Sequence, residues 1–213
     1  MIDANPAQPD PRLDADEVEN VAWMKRAAQG DQKAFQCLVE KHQHAVVGTI
    51  ARMLNDATEA EDLAQMAFVR LWHAAPKWQP DAKFTTYLFT IVKNLVFNES
   101  RRRSRKREVS LDAREESHPA SRHAAVVVSP DQAMAKQELY QQIDDAIAAL
   151  PEQQRLAVVL RTFEGQDYEE IARVLETTVS SVKSLLFRAR TTLREALANE
   201  LRDESSHANG SGC

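Results

Sequence analysis

Glycine is scarce in this chain, 5 of 213 residues. That scarcity, with long runs of Ala, Leu, Glu, Gln and Arg, favours helix over sheet. No segment shows the two-residue alternation of a half-buried strand, and no internal repeat is present. Cysteine is scarcer still, at 2. Neither Cys37 nor Cys213 has a partner at metal-ligand spacing, which argues against a disulfide framework and fits a reducing, cytoplasmic compartment. No stretch approaches the roughly 20 consecutive apolar residues of a membrane span, so no membrane insertion is expected. The N-terminal MIDANPAQPDPRLDADE is acidic and Pro-rich, unlike a signal peptide, and reads as a disordered tail. The C-terminal RDESSHANGSGC reads the same way.

Positive charge is also in deficit overall: the formal net charge is −5. Yet RRRSRKR, Arg101 to Arg107, concentrates it in one run. Blocks of like charge are often solvated linker; they also displace condensed counterions from nucleic-acid phosphates. The run by itself leaves both open.

The rest of the chain reads as helices. Val18, Val21, Met24 and Ala28 fall at helical spacing, Gly30 stops that helix, and Asp31 is placed to cap the next. The next carries an apolar stripe through Ala34, Phe35, Leu38, Val39, Val46, Ile50, Met53 and Leu54. Asp56 and Glu59 have capping-box spacing and open EAEDLAQMAFVRLWHAA, which Pro76 ends. After the loop KWQPDAK, the helix FTTYLFTIVKNLVFNESRRRSRKR runs into the basic block. Phe84 and Tyr87, at helical spacing, are expected in the core. Trp78, beside a loop proline, is open between core packing and stacking on a base. DAREESHPASRH is polar and aperiodic, a linker. Ser129, Pro130 and Gln132 then form a helix start. Leu139, Ile143, Ala146, Ile147 and Leu150 follow on one helix. Pro151 opens another, carrying Leu156, Val159, Leu160 and Phe163 and closed by Gly165.

Asp167 to Leu197, DYEEIARVLETTVSSVKSLLFRARTTLREAL, is the most specific stretch. Asp167 and Glu170 make a capping box, and Ile171 and Leu175 point inward. Ala172 is small enough for a close helix crossing. Glu176 to Thr178 form a turn, and a second helix from Val179 buries Val182 and Leu186, with Leu185 at its edge. The pattern reads as a helix-turn-helix, whose second helix enters the major groove, in preference to an antiparallel helical hairpin with Lys and Arg on a solvated face. On that reading Ser180, Ser181, Lys183 and Ser184 face bases and phosphates, and Arg188 and Arg190 continue along the backbone. Gly often holds the position of Glu176, because a side chain at positive φ costs about 1–2 kcal/mol.

Two motifs in this order, EAEDLAQMAFVRLW with KWQPDAKFTTYLFTIVKNLVFNESRRRSRKR and then LPEQQRLAVVLRTFEGQDYEEIARVLETTVSSVKSLLFRAR, resemble bacterial sigma-70 family factors of the extracytoplasmic-function type. The resemblance implies an all-α protein of two small helical domains joined by a flexible linker. The domains bind core RNA polymerase and promoter DNA without a catalytic centre or cofactor. The expected divisions are a tail over 1–17, a polymerase- and −10-binding domain over 18–107, a linker over 108–128, a −35-binding domain over 129–200 and a tail over 201–213. By resemblance, Glu61, Asp62, Leu63 and Gln65 dock on the polymerase clamp. Trp78 to Thr86, including Lys83, Phe84 and Thr85, capture a flipped −10 base, a few kcal/mol out of its stack. Lys93, Asn94 and Asn98 read the −10 element, and Arg101, Arg102 and Arg103 extend that helix toward phosphates. Many such factors are held by a separate anti-sigma factor, which is the expected further partner here. Leu185 and Met66 stand where relatives often carry Arg and an acidic residue.

Two other readings compete. A helix-turn-helix regulator independent of polymerase would share the C-terminal half but leaves the EAEDLAQ helix, the aromatic loop and the basic helix unexplained. A carboxylate metal enzyme would need Glu59, Glu61 and Asp62, yet these crowd one first turn, where acidic side chains suit the helix dipole, and no His joins them. Cys37, His42 and His44 do not share a helix face, so a buried cysteine and solvated histidines are expected, and no metal site.

Overall fold

The computed structural model describes residues 15–110 and 141–208, with side chains described to 106 in the first stretch and to 198 in the second. The described elements are α1 (Ala15–Ala27), α2 (Gln32–Leu54), α3 (Ala57–Ala74), a 3-10 turn (Ala75–Lys77), α4 (Phe84–Ser110), α5 over 141–148, α6 (Glu152–Thr162), α7 (Tyr168–Val174) and α8 (Val179–Ala208). The architecture is all-α, in an N-terminal unit of α1–α4 and a C-terminal unit ending in a helix-turn-helix. The expected start at Ser129 to Gln132, Leu139 and the linker residues 111–128 lie outside the described residues.

Three helix ends differ from the sequence reading. Helix α1 begins at Ala15, inside the expected tail, with Asp16 and Glu17 in its first turn, where acidic side chains suit the helix dipole. Helix α4 continues to Ser110, and α8 to Ala208, because neither extension contains a Gly or Pro to stop it.

Local chemistry sets the turns. Gly30 sits at φ +90° and Asp31 caps α2, accepting from the Lys33 and Ala34 amides at 3.0 and 3.1 Å. Asn55 closes α2 in the left-handed region at φ 52°. Asp56 caps α3 by accepting from the Glu59 amide at 3.1 Å, but Glu59 does not complete the box; it turns to Arg102 and Arg103 instead. Asp167 and Glu170 form a complete capping box at the head of α7. Gly165 takes φ +65°, and Glu176 holds the helix-turn-helix turn at φ 54°.

In the N-terminal unit α2 packs against α1, α3 and α4. The buried face of α1 is not the expected one: Glu17, Asn20, Met24 and Ala27 point inward while Val18 is 48% exposed. Two polar contacts select this face. The Glu17 carboxylate accepts from the Phe84 amide at 2.5 Å, occupying an otherwise orphaned donor at the head of α4. Asn20 Oδ1 lies 3.0 Å from His42 Nε2. His42 is therefore buried, not solvated, with its ring 5.1 Å from that of Phe84; Cys37, expected buried, is half-buried.

The C-terminal unit closes around Leu156, Leu160, Ile171, Val182 and Leu186, all buried. Each such fully buried large side chain stabilises the fold by roughly 1.5–3 kcal/mol. Phe163, expected on that stripe, follows α6 as its C-cap and is 40% exposed, with the Arg52 guanidinium 3.8 Å from its ring centre. Helix α4 also packs on α7, and α2 on α6, so the two units share one apolar cluster. Arg155 donates to the Met53 carbonyl at 2.6 Å and Thr49 to the Glu164 carboxylate at 2.9 Å across that seam.

Burial pushes the His42 imidazole down from its ordinary 6.5 to about 4, helped by the Lys41 ammonium and opposed by Asp16. The unfolded chain thus takes up a proton that the folded chain refuses. The stability His42 gives is fully present above about pH 6.5 and is lost as the pH falls through about 4. Denaturant unfolding at pH 7 and pH 4.5 is expected to differ by on the order of 2 kcal/mol more in the wild type than in His42→Gln, a figure discounted for partial solvent screening. Equal pH dependence in the two proteins would contradict this account of α1 packing.

Candidate polymerase and nucleic-acid interfaces

Three surfaces carry the residues that the sequence singles out. On α3, helical spacing turns Leu63, Ala64, Ala67, Phe68 and Leu71 inward and leaves Glu61, Asp62 and Gln65 exposed. Leu63, grouped with the docking residues by resemblance, is 7% exposed and belongs to the core beneath them. The exposed face continues through Met66 and Val69, 46% and 55% exposed. Sequence reasoning assigned Val69 no role, although it lies four residues from Gln65 on the same stripe. Polar residues beside exposed apolar ones are what a protein-docking face presents.

The second surface joins the loop after the 3-10 turn to α4. A cleft of about 520 Å³ is lined in part by Trp78, Gln79, Ala82, Thr86, Tyr87 and Arg173. Trp78 is 9% exposed, so it is largely packed and presents only an edge to the cleft. Thr86 lines the cleft, but its hydroxyl is buried and has no hydrogen-bond partner among the described residues. Burial raises the Tyr87 phenol, so it stays protonated as a donor. Phe84 is 0% exposed and lies in the core, not in the cleft.

Along α4 the apolar face of Leu88, Phe89, Val92, Leu95 and Val96 is buried, while Asn94, Asn98, Arg101 and Arg105 form one exposed stripe at helical spacing. Other residues assigned to the −10 element are engaged within the molecule. Lys93 is 6% exposed and its ammonium lies 2.5 Å from Glu176, whose carboxyl it holds below the usual range. Lys83 pairs with Glu170 at 2.6 Å, and Thr85 accepts from Gln166 at 3.2 Å.

The basic run divides in two. Arg102 binds both oxygens of Glu99, at 2.6 and 2.8 Å, and reaches Glu59 at 3.3 Å. Arg103 donates to the Leu54 carbonyl at 3.2 Å, to Asp56 at 3.0 Å and to Glu99 at 3.2 Å, and also meets Glu59. These two arginines, expected on phosphates, clamp α4 to the start of α3 because Glu99, 7% exposed, needs cations beside it. Their bonds, led by that from Arg102, lower the Glu99 carboxyl. Arg101, Arg105 and Lys106 point outward, and the Arg107 side chain lies outside the described residues.

The third surface is the first two turns of α8. Thr178 Oγ1 accepts from the Ser181 amide at 3.2 Å and so caps the helix. Ser180, Lys183, Ser184 and Arg188 are exposed and frame a shallow concavity, Ser181 is half-buried at its margin, and Arg190 is exposed a turn further on. Phe187 stands at the centre of this face, 72% exposed. The sequence reading passed over it as one apolar residue among several, although its spacing of four from Lys183 and three from Ser184 sets it on the polar side. Leu185 is half-buried at the edge, as expected.

Among the described residues no three His, Cys, Asp or Glu side chains gather to hold a metal ion, and no helix is long and apolar enough to cross a membrane. The sigma-70 region 2 model matches residues 38–106, which span most of α2 through α4, and the sigma-70 region 4 model matches residues 140–193. The chain is 37% identical over 182 residues to RNA polymerase sigma-H factor of Pseudomonas aeruginosa, covering 84% of this chain and 94% of that protein. It is 33% identical over 190 residues to the ECF RNA polymerase sigma-E factor of Escherichia coli, covering 88% and 97%. Two solved structures share the fold at 26% identity. One is CnrH in complex with the cytosolic domain of CnrY, with a TM-score of 0.62 over 85% of this chain and 98% of that one. The other is the sigma factor RpoE in complex with the anti-sigma factor NepR from Bartonella quintana, with a TM-score of 0.65 over 78% and 98%.

The divided basic run predicts divided phenotypes. Arg103→Ala is expected to cost roughly 1–3 kcal/mol in denaturant unfolding, because it strips partners from a buried carboxylate. Replacing Arg101, Arg105 and Lys106 together by Gln is expected to leave unfolding unchanged and to flatten the slope of log K for DNA against log salt by up to about 2–3. The opposite assignment of the two effects would overturn this division.

Proposed function

The chain belongs to the sigma-70 family of RNA polymerase sigma factors, in its extracytoplasmic-function group, and from that premise we propose how its surfaces divide the work of promoter-specific initiation. As a sigma factor it binds core RNA polymerase, recognises the −35 and −10 elements and helps melt the DNA. The region 2 match over 38–106 favours this function over a helix-turn-helix regulator independent of polymerase. The family consists of transcription initiation factors, and no catalytic step is assigned to the chain. Its work on polymerase is in the cell interior.

The observation that carries the division is the pairing of two exposed faces of opposite character in an acidic chain. The α3 face, with Glu61, Asp62, Gln65, Met66 and Val69, is the docking face for polymerase: its charge repels DNA and its apolar residues offer area to a protein. The α8 face is the −35 reader. Lys183, Arg188 and Arg190 take phosphates, and Ser180, Ser181 and Ser184 face base edges. Phe187 supplies an apolar contact suited to a thymine methyl. The −10 element falls to Asn94 and Asn98, with Lys93 next to Asn94 on the same helix and Lys83 just before its first turn. The Trp78–Thr86 cleft receives a base, for which the Tyr87 ring and phenol provide stacking and polar partners. Arg101, Arg105 and Lys106 follow the backbone. A separate protein inhibitor is part of the same proposal, supported by two similar folds having been solved as complexes, one of them with an anti-sigma factor.

Reversing charge on the docking face tests its role. Asp62→Arg is expected to abolish co-elution with purified core polymerase while helicity by circular dichroism stays intact; unchanged co-elution would sink the assignment. Phe187→Ala is expected to weaken binding to a promoter fragment by roughly tenfold, on the scale of one lost base contact, with an unaltered salt slope. A variant that binds as tightly as the wild type would remove Phe187 from the −35 face.

A further inference from the structure

Helices α2, α3 and α7 each begin behind an aspartate, Asp31, Asp56 or Asp167, whose carboxylate accepts from amides of the first turn. Helix α4 begins differently. Its first intrahelical bond runs from the Tyr87 amide to the Lys83 carbonyl at 3.2 Å, which makes Lys83 the cap, and an ammonium only donates. The acceptor comes instead from α1, 67 residues earlier in the chain: the Glu17 carboxylate takes the Phe84 amide at 2.5 Å. Glu17 is 3% exposed. A carboxylate is costly to bury unless it is bonded, and it holds a backbone amide more strongly than a neutral acceptor does. Its negative charge also suits the head of α4.

The same face of α1 reaches Phe84 a second way. Asn20 Oδ1 lies 3.0 Å from His42 Nε2, and the His42 ring lies 5.1 Å from the Phe84 ring. Helix α1 also packs on the 3-10 turn Ala75–Lys77. One helix thus braces the loop from Trp78 to Lys83 at both ends, at the turn before it and at Phe84 after it. That loop brings Trp78, Gln79 and Ala82 to the cleft, and Thr86 and Tyr87 follow in the first turn of α4. On its outer side α1 is tied to α2 by the Lys41 ammonium, 3.1 Å from Asp16 and 3.0 Å from Glu19. Those pairs hold α1 without touching α4. Helix α1 precedes the region 2 match, which begins at residue 38.

We propose that Glu17 is a positioning residue for −10 recognition: by capping α4 from α1 it fixes the Trp78–Lys83 loop, and so the shape of the cleft that receives the base. The cap acts through the Phe84 amide and touches no DNA. A recognition constellation must be held to within about 0.5 Å, and a loop hung between two elements keeps that tolerance when both are fixed to one frame. The inference rests on the reading that this loop and α4 handle the −10 element.

The test reconstitutes core RNA polymerase with the full chain, transcribes a library of genomic DNA fragments, and reads base preference in the element nearer the start and in the one further upstream. Glu17→Ala removes the acceptor. It is expected to co-elute with core polymerase and to lower the preference for the favoured base in the nearer element by about tenfold, the scale of one mismatched pair, with the upstream preference unchanged. Glu17→Gln keeps a side-chain oxygen for the Phe84 amide and is expected to restore most of the preference. Lys41→Ala releases Asp16 and Glu19 and loosens α1 from outside; it is expected to lower thermal stability and leave both preferences at wild-type values. Should Glu17→Ala not fold, Glu17→Asp, one methylene short of the amide, carries the same expectation. Wild-type preference in the Ala or Asp variant would overturn the inference, as would an equal loss in Glu17→Gln or in Lys41→Ala. Asn94→Ala combined with Asn98→Ala separates that failure from failure of the underlying reading. If this pair lowers the nearer-element preference and Glu17→Ala does not, the positioning role alone falls; if neither lowers it, the assignment of α4 to the −10 element falls as well.

Discussion

On the proposed division of work one helix is core and reader at once, and the rest of the molecule is arranged around that constraint. The inner face of α4, from Phe84 through Val96, is almost wholly excluded from water, and its outer face carries Asn94, Asn98 and Arg101. Its two ends are fixed by charge. Glu17 of α1 occupies the first amide, and Arg102 and Arg103 bind Glu99, Glu59 and Asp56 at the other end. A helix held at both ends presents its polar stripe in one orientation, which a base-reading surface requires.

Charge placement follows from this. The chain is acidic overall, so cations on the DNA faces must compete with carboxylates of the same molecule. Where the carboxylate is buried, as at Glu99, the arginines stay with it. Where it is exposed, as at Glu176, solvent screens the carboxylate side of the pair.

The periodic elements were legible in the sequence: the apolar stripe of α2, the Asp56 cap that opens α3, the Gly30 and Gly165 stops, the Asp167 capping box and the buried Val182 and Leu186 of the helix-turn-helix. What was not legible depends on contacts far apart in the chain. The rotation of α1 is chosen by Phe84 and His42, neither of which its own hydrophobic spacing reports. The engagement of Arg102 and Arg103 follows from Glu59 and Asp56, more than 40 residues earlier. Pairing of Lys93 with Glu176 needs the two units side by side, an arrangement that a reading of each motif in isolation does not contain. Phe187 is a different case, since a helical wheel puts it on the exposed face; its apolar character concealed it.

The central claim is that this chain gives core polymerase promoter specificity. The most direct measurement is to add the purified chain to purified core RNA polymerase on a library of genomic DNA fragments and sequence the transcript 5′ ends. The account predicts new starts that depend on the chain and lie downstream of a shared pair of short elements at fixed spacing. Start sites no different from those of core polymerase alone would contradict it.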